Sequence, residues 1–223
     1  MYQMCYDGLL HVLDGIDRQA TLALNYDGGQ WQDCVWTAFS SPLIWAPPAL
    51  ALVACLLCRR GRRSHALLVV LALALVIALC DQTTSSFMKP FFARLRPSHT
   101  PGVMQLLHYV GDYRGGLYGF ASSHAANSFG VATYVSLFLR RRWTALALMA
   151  LALCVGYSRI YLGVHYLGDV LAGALVGSLF GYLVYRMVPV AICRLRRMLL
   201  GLRSMGRGLW WMVRLAAGQS RIG

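Results

Sequence analysis

Five stretches of this chain are too apolar and too poor in charge to rest in water. They run from about Val35 to Cys58, from Ala66 to Cys80, from about Ala121 to Leu139, from Trp143 to Ser158 and from about Leu167 to Tyr185. A helix crosses the roughly 30 Å of bilayer hydrocarbon in about 20 residues, so several of these runs must borrow polar residues at one end. Pro42, Pro47 and Pro48 interrupt the first. The composition agrees with a membrane setting: 58% of the 223 residues are hydrophobic and 13% charged, against about a quarter charged in soluble domains. The reading is an all-α integral membrane bundle of about five transmembrane helices. Gly168, Gly173, Gly177 and Gly181 in the fifth run favour close helix approach.

Residues 1–34 differ. Leu9, Leu10, Val12, Leu13 and Ile16 alternate with Asp14, Asp17 and Arg18 at near-helical spacing. Charges inside the run argue for an interfacial helix rather than a span, and against a signal peptide. Asn25 to Gly29 reads as a turn. Residues 35–190 form the membrane domain, and 191–223 a basic tail with Trp210 and Trp211. That tail suits an anionic inner membrane face or a solvated end.

The formal charge of +13 does not imply a nucleic-acid partner. Its Arg clusters sit at the ends of apolar runs, where membrane topology is set. Arg59, Arg60, Arg62 and Arg63 follow the first run, Arg140 to Arg142 the third, and Arg186, Arg194, Arg196 and Arg197 the fifth. By the positive-inside rule these ends are cytoplasmic. The N-terminus, the loop from Asp81 to Phe120 and the turn around Tyr161–His165 then lie outside, which in a bacterium is the periplasmic side of the inner membrane. Of the seven cysteines, Cys55, Cys58, Cys80 and Cys154 read as small buried hydrophobes. The C-x-x-C at Cys55–Cys58 lacks the strand context of a redox motif. Cys5 and Cys34 could pair in an oxidising compartment.

Three segments on the outer side hold nearly every unusual polar residue: Lys89 to Pro97, Phe120 to His124, and Ser158 to Asp169. His165 and Asp169, four apart, share a helix face. A carboxylate there fixes one imidazole nitrogen and leaves the other as a nucleophile. His124 follows Ser122 and Ser123 at a helix start, where free N–H groups suit phosphate. Lys89, Arg96 and Arg159 supply cations for a polyanion. Nucleophile, second histidine and cationic cage are what phosphoryl transfer requires. The histidines and aspartates lack the spacing of a metal cluster, so neither metal nor cofactor is expected. Each piece has a plain alternative. The His165–Asp169 pair could cap a helix, and Arg94, Arg96 and Arg114 could meet lipid headgroups.

Together the segments resemble the signature of the type-2 phosphatidic acid phosphatase superfamily: K-x6-R-P, then P-S-G-H, then S-R-x5-H-x3-D. Lys89 with Arg96-Pro97 fits the first part, and Ser158-Arg159, His165 and Asp169 fit the third. The second departs, with Ala121 where the family has Pro and Ser123 where it has Gly. The loop Arg114 to Phe120 is similar to that of bacterial members, and Arg114 and Tyr118 are candidate substrate contacts. The resemblance implies a membrane bundle of six helices. It implies His165 as nucleophile through a phosphohistidine, Asp169 as its orienting group, and His124 as acid and then base. Lys89, Arg96, Arg159, Ser122 and Ser123 would hold the phosphate. The implied partner is a phosphorylated or pyrophosphorylated membrane lipid: undecaprenyl pyrophosphate or a lipid A phosphate, alternatively phosphatidylglycerol phosphate or phosphatidic acid. Two competing readings remain. Vanadate haloperoxidases share such a site but are soluble, and a transporter or scaffold would line a path with its charges.

Overall fold

The computed structural model describes residues 2–57 and 63–188. The basic tail expected over 191–223, most of the first Arg cluster and Cys58 lie outside the described residues. Among the described residues the fold is helical, apart from one isolated bridge between Leu95 and Tyr118. Helix α1 spans Tyr2–Leu24 and α2 spans Gly29–Ser40. The turn between them ends on Gly29 at φ 75°, a left-handed conformation that glycine adopts without strain.

The prolines decide the next element. A 3-10 turn covers Pro42–Trp45 and leads into α3, Ala46–Leu57, with a 67° bend between the two halves of the run. Proline removes a backbone donor and clashes with the preceding turn, so the first apolar stretch is a broken span and not a straight one. Helix α4, Arg63–Asp81, continues through a π-helical turn, Gln82–Met88, into α5, Lys89–Phe92. Helices α6, Ser123–Leu139, and α7, Arg142–Tyr161, precede α8, Leu167–Val188.

Among the described residues, three helical segments are long and apolar enough to cross a membrane: Ala66–Phe92, Arg142–Tyr161 and Leu167–Val188. The bent pair is a fourth if counted as one span. Helix α6 has 17 residues and rises only about 25 Å. Against the expected five or so, the described residues therefore hold three full-length spans, or four with the bent pair, and α6 falls short of that length.

Helix α6 is the hub, lying against both α4 and α7. Glycine sets its distance to α8. A Cβ at Gly173, Gly177 or Gly181 would fall 2.4, 2.0 or 2.5 Å from the carbonyl oxygens of Ser122, Ala126 and Gly130. The two backbones therefore touch along three successive turns, as the glycine spacing predicts.

Helix α1 is oriented in a way that its sequence only half reveals. Val12, Leu13 and Ile16 face outward, each more than half exposed, as suits an interfacial helix. Its polar stripe faces the protein instead of water. Thr21 is fully buried and accepts from the Leu167 amide. Asn25 binds His108, Ile160 and Tyr161 main-chain groups. Cys34 is a free, exposed thiol; the side chain of Cys5, its suggested partner, lies outside those the structure describes. Cys80 is buried as expected, whereas Cys154 is half-buried.

Candidate active site

All three chemistry-bearing segments meet at one end of the bundle. Lys89 stands at the π-helical end of α4. Its ammonium donates to Ser123 Oγ at 2.8 Å and lies 3.4 Å from Ser85 Oγ. Thr84, fully buried, donates to Ser123 Oγ at 2.9 Å. A π-turn inserts extra backbone per turn and is often found where a side chain must be re-aimed; here it leads directly into Lys89.

The chain then turns at Ala93, φ 45°, and runs extended. Arg96 N donates to Leu117 O at 3.1 Å and Gly119 N donates to Arg94 O at 2.9 Å. Arg96 is 7% exposed. Its Nε donates to Tyr118 O and its Nη1 to Val164 O, at 3.1 and 3.3 Å. Burial works against its cation and the nearby Arg159 charge adds to that effect, so an incoming anion relieves both.

Ser122 is the N-cap of α6, its hydroxyl accepting from Ala125 N, which is the ordinary capping role of serine. Ser123 and His124 follow in the first turn, where backbone N–H groups are free of helical partners. The Ser122 amide donates to Asp169 O at 2.9 Å, pinning the start of α6 to the start of α8. The Phe120–Ala121 peptide is cis. His124 is partly exposed and has Arg159, Lys89 and Arg96 as charged neighbours. It stands at the rim of an apolar cavity of about 460 Å³ that continues between the helices past Leu52, Ile77 and Val131 to Leu148.

Arg159 ends α7 and is 2% exposed. It donates to Ser40 Oγ and, at 3.4 Å, to Tyr113 OH, while its buried Nε has no protein partner. A guanidinium with an unused donor is suited to an anion. His165 is 1% exposed, and its Nδ1 lies 3.4 Å from Asp169 Oδ2. Oδ2 also accepts from the Tyr166 amide at 3.1 Å, the reach-back of a residue in the first helical turn to its N-cap. Capping and orientation of His165 are therefore both carried by one oxygen. Burial pushes the His165 imidazole down to about 3, against the pull of Asp169. It is neutral at physiological pH, as a nucleophile must be.

The residues K-x6-R-P and S-R-x5-H-x3-D thus converge in space, and a pattern of the same kind is found in known proteins. The PAP2 superfamily pattern matches residues 49–193. The chain belongs to the PAP2 superfamily. It is a lipid phosphatase, a hydrolase of phosphoric esters in the membrane. Two relatives are named lipid A 4'-phosphatase. The one from Bacteroides thetaiotaomicron is 36% identical over 84% of each chain. That from Porphyromonas gingivalis is 37% identical over 80% of this chain and 75% of its own. A putative undecaprenyl-diphosphatase of Escherichia coli is 31% identical over 69% of this chain and 72% of its own. Among solved PAP2 structures, the phosphatidylglycerolphosphate phosphatase of Bacillus subtilis overlays with a TM-score of 0.59 at 24% identity, covering 78% of this chain and 84% of that one. Aquifex aeolicus LpxE overlays with 0.55 at 26% identity, covering 74% and 92%.

Beyond the PAP2 signature lies a shell that the sequence reading did not assign. Arg94 donates to Asp169 Oδ1 at 3.0 Å, to Asp17 Oδ2 at 2.8 Å and to Asp14 Oδ1 at 3.0 Å. Burial disfavours its cation, but the charges of Asp169 and Asp17 raise it above the ordinary arginine value. Arg18 pairs with Asp14 at 2.7 Å. A second cluster joins Asp33 to His108 Nε2 at 2.9 Å and to Tyr161 OH at 2.7 Å. Asp14, Asp17 and Thr21 recur at helical spacing along one face of α1, which marks a polar face without naming its partner.

Proposed function

We propose that this phosphatase removes a phosphate from lipid A at the periplasmic face of a bacterial inner membrane, through a phosphohistidine on His165. The observation that carries the mechanism is the buried, neutral His165, close to Asp169 at Nδ1 and within reach of the Arg96 and Arg159 charges. With Nδ1–H donated to Asp169, the lone pair on Nε2 is free to attack phosphorus. As the P–N bond forms, the P–O bond to the lipid breaks, and His124, which takes up a proton once the bound phosphate offsets the Arg159, Lys89 and Arg96 charges around it, gives that proton to the departing oxygen. His124 then takes a proton from water, whose oxygen attacks phosphorus and releases phosphate and neutral His165. The three cations, with Ser122 and Ser123, hold the non-bridging oxygens as charge builds.

Lipid A is favoured as substrate by the relatives that match over most of their length. The apolar cavity beside His124 suits a hydrocarbon chain of whichever lipid is bound. The Arg140–Arg142 end of the bundle is the opposite end of α6 and α7 from the site, which by the positive-inside rule supports an outward-facing site. Undecaprenyl pyrophosphate is the second reading, supported by the more distant relative of that activity. The test is a rapid quench with lipid A carrying a radiolabelled phosphate. Acid-labile, alkali-stable label on the wild type and none on His165→Ala is the expected result. Label retained by His165→Ala would overturn the mechanism.

A further inference from the structure

We infer that Arg94 and Asp17 are positioning residues, acting through Asp169 to set the direction of the His165 imidazole, and that α1 is thereby part of the catalytic apparatus. The inference rests on His165 and Asp169 being the nucleophile pair and holds for any lipid substrate.

A carboxylate rotates easily about its last torsion, a broad two-fold well. Asp169 is fully buried, and its Oδ2 is shared between His165 Nδ1 and the Tyr166 amide. A partner on Oδ1 adds the second point that fixes the plane of the group. Arg94 Nη1 is that partner at 3.0 Å. Arg94 is fixed in turn. Its Nη2 donates to Asp17 and Asp14, and its guanidinium carbon lies 4.2 Å from the centre of the Tyr166 ring. Asp17 closes the circuit: its Oδ1 accepts from Gly168 N at 2.8 Å, the amide next to Asp169. A Cβ on Gly168 would lie 2.6 Å from Asp17 Oδ2, so the fit is tight.

Both terminal nitrogens of Arg94 are engaged with carboxylates, unlike those of Arg159. Arg94 therefore differs in task from the phosphate-facing cations. Its planar fork serves two partners at a fixed angle, which a lysine cannot do. Misaim of a nucleophile by about 1 Å can cost on the order of 10²-fold in rate.

The experiment is a double-mutant cycle on the full-length protein in detergent. The substrate is whichever of lipid A, undecaprenyl pyrophosphate, phosphatidylglycerol phosphate and phosphatidic acid the wild type hydrolyses fastest. Arg94→Gln should lower kcat by roughly 10²-fold and leave KM within about threefold. In an Asp169→Asn background the same change should cost less than about threefold more, because residues acting as one unit are not additive. Arg94→Lys should recover part of kcat. Asp17→Asn should lower kcat with the same constant KM, and it carries the test if Arg94→Gln does not accumulate. Unchanged kcat, a loss confined to KM, or losses that multiply in the double variant would overturn the inference. Full activity in Asp169→Asn alone would instead sink the nucleophile pair itself.

Discussion

The Lys89 ammonium and the Ser123 hydroxyl lie 2.8 Å apart, joining the first signature segment to the second at a position where the family usually carries glycine. The same oxygen also meets Thr84 and Ser85, each at 2.9 Å. Ser123 thus holds the lysine ammonium at the start of α6. Ser123→Gly should keep kcat/KM within about tenfold of wild type, because the amide that faces a phosphate is retained. Lys89→Ala should cost roughly 10²-fold or more, the scale of losing one charge-stabilising group. Steady-state kinetics of the two variants decide whether the serine or the lysine carries the contact.

Gly119 gives a test of how tightly the orienting carboxylate is held. A Cβ there would come 2.8 Å from Asp169 Oδ2 and 3.1 Å from Arg96 Cγ. Gly119→Ala should displace the oxygen that faces His165 and lower kcat by at least about tenfold. Circular dichroism should show the helices intact. Wild-type turnover in this variant would mean that Asp169 has freedom the site is argued to lack.

The α6–α8 contact makes a different demand. Gly177→Ala drives a methyl group into the Ala126 carbonyl, at 2.0 Å before relaxation. Overpacking of a close core costs about 1–3 kcal/mol, and a collision with backbone has no rotamer to relieve it. Gly177→Ala should lower the melting temperature in detergent markedly, while Gly116→Ala, with open space around its Cβ site, should not.

Much of this was legible in the chain. Helix positions followed from the apolar runs, the placing of the Lys89, His124 and His165 segments on one side of the membrane followed from the Arg clusters, and their joining in one site was what the family resemblance implied. What escaped was any feature that depends on partners distant in sequence. Asp14 and Asp17 read only as charges that interrupt an interfacial helix, because nothing local says that Arg94 lies opposite. The 67° bend at the proline run was signalled by Pro42, Pro47 and Pro48, but its size is set by packing. The π-turn before Lys89 has no sequence signature of its own: the polar run Gln82 to Ser86 reads equally well as the frayed end of a span.

Protonation gives a stability test. Burial holds the His165 pKa at about 3 in the folded protein, below the roughly 6.5 of a free imidazole. The unfolded chain then binds a proton that the folded one refuses between those values. Stability from this group is complete above about pH 6.5 and falls as the pH drops toward 3. The melting temperature of the wild type should decline over that range, and His165→Asn should decline less. Parallel curves for the two proteins would show that His165 is not held neutral by burial.

The most direct test of the whole account is phosphate release by the purified protein in detergent with EDTA. It would be run on lipid A, undecaprenyl pyrophosphate, phosphatidylglycerol phosphate and phosphatidic acid. The prediction is rapid release from lipid A, slower release from the others, and none in His165→Ala. No release from any of the four by protein shown to be folded, or release that EDTA abolishes, would contradict it.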